Sequence, residues 1–210
     1  LEIVHLGEVV KEMMDRVLPA VLAGSRETLE ELRKMDDLVD RHHGEAVTYL
    51  GNISRHELTE SGTEEFLRLM EAVNDLENIG DTIETNLVQL GFDRISAGIS
   101  ISTPTRVVLS DFHRVVTKAF QGAVQAVSQS NREAARSVID MKQEIDHIVT
   151  SAAAHQAARL VADEPNRIPA YTIEIDIIEK QKRIYSFAKN MARTVIQSDS
   201  EELETVPVAG

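Results

Sequence analysis

The chain has 210 residues, is 42% hydrophobic and 27% charged, carries a formal net charge of −13 and contains no cysteine. That length supports a sizeable core in one large or two small units. The missing cysteines exclude disulfides and thiolate metal sites, and the negative balance excludes the basic footprint that nucleic acid requires. No apolar run approaches the ~20 residues of a membrane span. Aromatics make up 4% and tryptophan is absent, so the core must be filled by Leu, Ile, Val, Met and Ala, as in helical bundles.

Val9, Val10, Met13, Val17 and Val21 recur at helical spacing and predict a first helix. Pro19 lies inside it and predicts a kink, because proline removes a backbone donor and crowds the preceding turn. Gly24 and Ser25 mark its end, with Ser25 placed to cap the next helix. Leu32, Met35, Val39, Ala46, Leu50 and Ile53 form the second stripe. Ser61 with Glu64 has the spacing of a capping box and predicts the start of a third helix. Its stripe is Phe66, Leu69, Val73, Leu76, Ile83, Leu87 and Leu90, with Gly80 placed where a neighbour can approach closely. Phe92 to Ser102 shows no helical period and reads as a connector. Thr103 and Pro104 then supply a cap and a proline for the first helical position.

The pattern begins again after the connector. Val115 and Val116 answer Val9 and Val10, Ala126 and Val127 answer Ala20 and Val21, Met141 answers Met35, and Asp146 answers Asp40, all at an offset of 106 residues. In the third helix the offset is 102, pairing Ile178 with Leu76 and Glu179 with Glu77. A shorter turn around Asp163, Glu164 and Pro165 accounts for the change. The predicted fold is all-α, two tandem three-helix bundles: residues 1–102 with the connector, residues 103–197, and an acidic tail, 198–210, predicted to be disordered.

Charge divides the repeats. Up to Ser102 there are 21 acidic and 9 basic residues, a balance of −12; from Thr103 to Gln197 there are 10 and 13, a balance of +3. The first half should attract cations, and contacts between unlike halves of two copies would be favoured, as in a homodimer. The acids are also ordered. Asp36, Asp40 and His43 are spaced four and three apart and share a face of the second helix; Glu77, Asp81 and Glu84 share a face of the third. Each ladder lies one residue from its core stripe, so antiparallel packing would line both along one surface groove. Converging carboxylates repel unless a cation neutralises them. Oxygen ligands with one imidazole suit magnesium, calcium, manganese, iron or zinc. Asp37 and Asp75 border the region as supporting groups, with His43 and Glu84. Glu144 and His147 form a lone Glu-x-x-His, where a di-iron bundle needs two such motifs and two further glutamates; Asp40-x-x-His43 is the nearest second copy. No glycine-rich phosphate loop or activated nucleophile is visible.

The run NDLENIGDTIE, Asn74 to Glu84, resembles the signature of the PhoU family, and DDLVD, Asp36 to Asp40, resembles its matching acidic segment. The resemblance extends over about Gly7 to Gln197. It implies two three-helix repeats, a regulatory and non-enzymatic role in phosphate transport, and surface metal clusters. It makes Asp36, Asp40, Glu77 and Asp81 the expected ligands of a divalent or iron- or zinc-type ion. The second repeat departs from the pattern: Lys142 and Arg183 stand at the positions of Asp36 and Asp81, and only Asp146 and Glu179 remain acidic. Ion pairs there would leave no need of a metal. This degeneracy, with KRIYSFAKNMAR from Lys182 to Arg193, resembles the PhoU-type tail of bacterial sodium-dependent phosphate cotransporters, and a first residue that is Leu1 agrees with a piece of a longer chain. On that reading the partner is the transporter's own membrane segment, upstream of Leu1, and the location is the cytoplasmic side of the inner membrane. The alternatives are a free-standing PhoU-type regulator acting on a separate transporter and, from another class, a carboxylate-bridged metal enzyme with ligands inside the bundle.

Overall fold

The computed structural model describes residues 2–55, 58–160 and 166–197, and every regular element among them is helical. α1 spans Glu2–Ala23, α2 Arg26–Ile53 and α3 Glu60–Asp81. α3 continues through a π-helical segment, Thr82–Val88, into α4, Gln89–Ser96. The second repeat holds α5, Thr103–Gln129, then α6, Arg132–Asp140, and α7, Lys142–Leu160, separated by the single residue Met141, and finally α8, Arg167–Gln197.

The local signals explain most of these boundaries. α1 runs through Pro19 without ending, because Val17, Leu18, Ala20 and Val21 are buried on both sides of the proline. Gly24, at φ 75°, turns the chain out of α1, and Ser25 accepts from the Thr28 amide to open α2. The third helix is capped by Thr59, which accepts from the Gly62 amide, and not by Ser61. Ser102, not Thr103, caps α5, which puts Pro104 at the second helical position. The first part of the predicted connector, Phe92 to Ser96, is helix. The π segment shifts the register of the inward face, so that Leu87 and Val88 are both buried and Gly91, Phe92 and Arg94 follow. A buried arginine in that row hides the apolar period. The Asp163–Pro165 turn and the tail from Ser198 lie outside the described residues.

The two repeats share one hydrophobic cluster, from Leu6 of α1 to Val195 of α8. α1 packs on α5 and α3 on α8, so the repeats lie side by side. Across the first of these seams Gly7 lies against Val124, where an added Cβ would meet a methyl at 3.0 Å. The buried His113 of α5 donates from Nε2 to the Met14 carbonyl of α1 at 2.9 Å.

Arg94 holds the other end of the first repeat together. α1 ends with open carbonyls, and the buried Arg94 guanidinium donates to two of them, Val21 at 2.9 Å and Leu22 at 3.1 Å, and to Ile99 of the connector at 2.8 Å. Replacing Arg94 by Met would leave three acceptors without these donors. We expect Arg94→Met to lower unfolding free energy by about 3 kcal/mol, read as an earlier urea midpoint by circular dichroism.

Candidate functional site

The site is a groove on the outer side of the first repeat, between α2 and α3. Gly80 makes it narrow: a Cβ there would stand 2.9 Å from Val39 Cγ1 and 3.3 Å from Cγ2. α3 therefore comes against α2 at the Val39 side chain, and the acidic rows one residue from Val39 and Gly80 are drawn together. Asp36 shows the result. Its carboxyl is raised from 3.8 to about 6, first by burial and then by the charges of Asp40, Asp81, Glu84 and Glu77. One of its oxygens, Oδ1, is buried without a hydrogen-bond partner. Glu77 is raised too, by burial and then by Asp81, with Asp40 adding to the effect and His43 opposing it.

Four predicted acids and two bordering groups thus act on one another. Asp40 and Asp81 are exposed, while Asp36, Glu77, His43 and Glu84 are half-buried. His43 Nε2 lies 3.2 Å from Asn74 Oδ1, a residue of the opposite helix. Glu84 is drawn off by Arg33, 3.4 Å away, and accepts from Thr85 at 2.8 Å. Arg33 also lies 4.7 Å from the centre of the Phe92 ring. It closes one end of the groove with positive charge, a role hidden in the sequence because Phe92 lies in a stretch without a helical period.

Two assigned neighbours do not join the groove. Asp37 is exposed and is not among the charges that act on Asp36. Asp75 lies on a different face of α3, seven residues on from Arg68, whose guanidinium reaches Ser130 of the second repeat. Asp75 is 7% exposed, with Oδ2 buried and unpartnered. Burial and the nearby Glu71 raise its carboxyl to about 7. Two residues along a helix turn a side chain through roughly 200°, which is why nearness to Glu77 in sequence misplaced it.

The donor chemistry fits a divalent cation: oxygens that repel one another, one of them without a partner, and an imidazole at the margin. No three Asp, Glu or His side chains among the described residues converge closely enough to form a cage as they stand. Asp40 and Asp81, being exposed, are the ones free to turn inward.

The matching groove of the second repeat differs in kind. Lys142 pairs with Asp146 at 2.5 Å, and the lysine lowers the carboxyl's pKa. Glu179 and Arg183 are both exposed on α8, and instead of joining Glu179, Arg183 stacks over Phe187 at 5.5 Å. Half of the expected ion pairing is present. Glu144 and His147 are exposed on α7, away from any partner motif.

Asp36 carries a testable pH signature. Its pKa is higher folded than unfolded, so the carboxyl disfavours the fold when ionised, fully above about 6, and not at all below the unfolded value of 3.8. Asp36→Asn should therefore stabilise the protein by about 1 kcal/mol at pH 7.5, after allowing for solvent screening. The gain should shrink as pH falls from 6 and vanish below 3.8, measured by urea unfolding across that range.

Comparison with known proteins follows this division of the chain. Residues 3–87, which hold the groove, match the PhoU domain model. No curated protein sequence matches the chain. Among solved structures, PhoU from Pseudomonas aeruginosa is 20% identical with a TM-score of 0.86, the alignment covering 95% of this chain and 94% of that one. The phosphate transport system regulatory protein PhoU from Streptococcus pneumoniae is 16% identical with a TM-score of 0.82, covering 96% and 93%. The first repeat therefore matches a PhoU domain, and the chain as a whole has the fold of these PhoU proteins.

Proposed function

We propose that this chain is a non-enzymatic regulator of phosphate uptake that works on the cytoplasmic side of the membrane, through helix contacts with a transporter. The observation that carries this reading is the likeness of fold, over nearly the whole length of both chains, to a phosphate transport system regulatory protein. Among the described residues no helix is long and apolar enough to cross a membrane, so this segment would meet a transporter through its bundle surface. In the same reading Asp36, Asp40, Glu77 and Asp81 take up a divalent or iron- or zinc-type cation. The ion would relieve their mutual repulsion and tie α2 to α3. The metal-enzyme alternative draws no support from this groove, whose exposed Asp40 and Asp81 stand outside the core.

Two forms of this reading differ in the partner: a free-standing regulator acting on a separate transporter, which the fold likeness over 94% and 93% of two PhoU chains supports better, and a regulatory tail attached to a sodium-coupled phosphate transporter. The tail form draws only on the degenerate second repeat, where Lys142 and Arg183 replace the acids of the first. The reading frame preceding Leu1 distinguishes the forms: membrane spans favour the attached one, their absence a separate partner.

The regulatory role itself is tested in cells. Deleting the gene should change the initial rate of radiolabelled phosphate uptake in phosphate-replete medium by several-fold. The wild-type gene should restore it, and Glu77→Gln with Asp81→Asn should restore it only in part. Unchanged uptake after deletion would remove the reading.

A further inference from the structure

The groove of the second repeat holds more positive charge than the paired Lys142 shows. Lys182, Tyr185, Lys189 and Arg193 recur at i, i+3, i+7 and i+11 on α8 and so lie on one face. Tyr185 fixes where that face looks. It is 3% exposed, and its hydroxyl donates to the Val138 carbonyl of α6 at 3.2 Å. The stripe is thus turned toward the junction of α6 and α7, where Lys142 begins α7.

The cations there are close enough to act on one another. Lys189 Nζ lies 5.6 Å from the centre of the Tyr185 ring. Lys182 and Lys189 are half-buried. Burial, then the charges of Arg193 and Lys142, lower the pKa of the Lys189 ammonium. The carboxylates acting on this cluster are Asp146, already bonded to Lys142, and Asp140, which acts on Tyr185. Among the described residues no ion pair engages Lys182, Lys189 or Arg193. The first repeat has nothing like it: Asp36, Gly80, Leu87 and Gly91 stand at the positions of Lys142, Lys182, Lys189 and Arg193.

We propose that the groove between α8 and the α6–α7 junction is a binding site for a phosphate-type oxyanion, held by Lys142, Lys182, Lys189 and Arg193. A tetrahedral dianion offers several acceptor oxygens to donors approaching from two helices, and each contact is a charge-assisted hydrogen bond. Lysine serves as a mobile point charge and arginine as a planar fork. The Tyr185 ring, its hydroxyl committed to Val138, forms an apolar floor that keeps water from one side. Free inorganic phosphate and the phosphate of a lipid headgroup share this chemistry.

The test uses the full chain at low ionic strength, in two arms. One is calorimetric titration with inorganic phosphate; the other is cosedimentation with phosphatidylcholine vesicles with and without phosphatidylglycerol. Saturable phosphate binding identifies the free ion, and sedimentation only with phosphatidylglycerol identifies a headgroup. In either case Lys182→Gln with Lys189→Gln should weaken binding by about tenfold or more, and the exposed Arg193→Gln by several-fold. Arg114→Gln, on the exposed side of α5, should change it less than about twofold. Circular dichroism and the unfolding midpoint check that each variant folds, and Arg193→Gln keeps the test decisive if the double variant does not. The proposal is overturned if neither phosphate nor anionic vesicles bind, or if binding is unchanged in the folded variants. Neither arm involves a transporter, so failure here leaves the regulatory reading standing.

Discussion

The missing side chain at Gly80 sets the distance between α2 and α3, and the chemistry of the first repeat follows from that distance. With Val39 methyls at 2.9 and 3.3 Å from where a Cβ would be, no larger residue fits unless Val39 or a helix shifts. Gly91 repeats the device one helical stretch later, against Leu29 at 2.8 Å and Val21 at 3.2 Å. The helices that approach in this way carry acidic rows one residue off their core stripes, so close packing of apolar atoms forces carboxylates together. Asp36 bears the cost in a raised pKa and an unpartnered oxygen. Arg33 at Glu84 and His43 beside Glu77 relieve part of the charge, and the exposure of Asp40 and Asp81 relieves more. Protonation of Asp36 below about pH 6 also relieves it, and in the proposed function a bound cation would do the same.

The second repeat keeps the three-rod arrangement and changes the charge. Lys142 and Arg183 take the places of acids, and Lys182, Lys189 and Arg193 take the places of Gly80, Leu87 and Gly91. A lysine stands at the position of Gly80, and the rod opposite is interrupted at Met141 where α2 is continuous. One groove is therefore tight and negative, the other bordered by long cationic side chains. Each side's charge disfavours the other's ligand: the second groove repels a metal ion, and the first repels an oxyanion. If both proposed ligands bind, two ligand classes are kept apart on one body with a shared core.

Much of this was legible in the sequence. The apolar periods gave the rods, Ser25 its cap, the acidic spacings the two ladders, and Gly80 the close approach. What the sequence hid has physical causes. The π segment after Asp81 shifts the buried face, and Arg94 enters the core to bind carbonyls, so a helix looked like a connector. Thr59 outcompeted Ser61 as a cap because its hydroxyl meets the Gly62 amide. Asp75 seemed to border the ladder, but helical rotation carries it to the face of α3 that also bears Arg68. The cationic stripe on α8 went unseen because Lys182 and Lys189 occupy positions that are apolar or glycine in the first repeat. Tyr185, whose hydroxyl reaches α6, shows where they face.

In the proposed function the groove of the first repeat takes a divalent cation and its counterpart does not. Crystals grown with manganese and measured for anomalous scattering test it most directly. One class of peak is expected, between α2 and α3 beside Asp36, Asp40, Glu77 and Asp81, lost in Glu77→Gln with Asp81→Asn and retained in Glu179→Gln. A peak between α7 and α8, or none at the α2–α3 groove under saturating manganese, would contradict it.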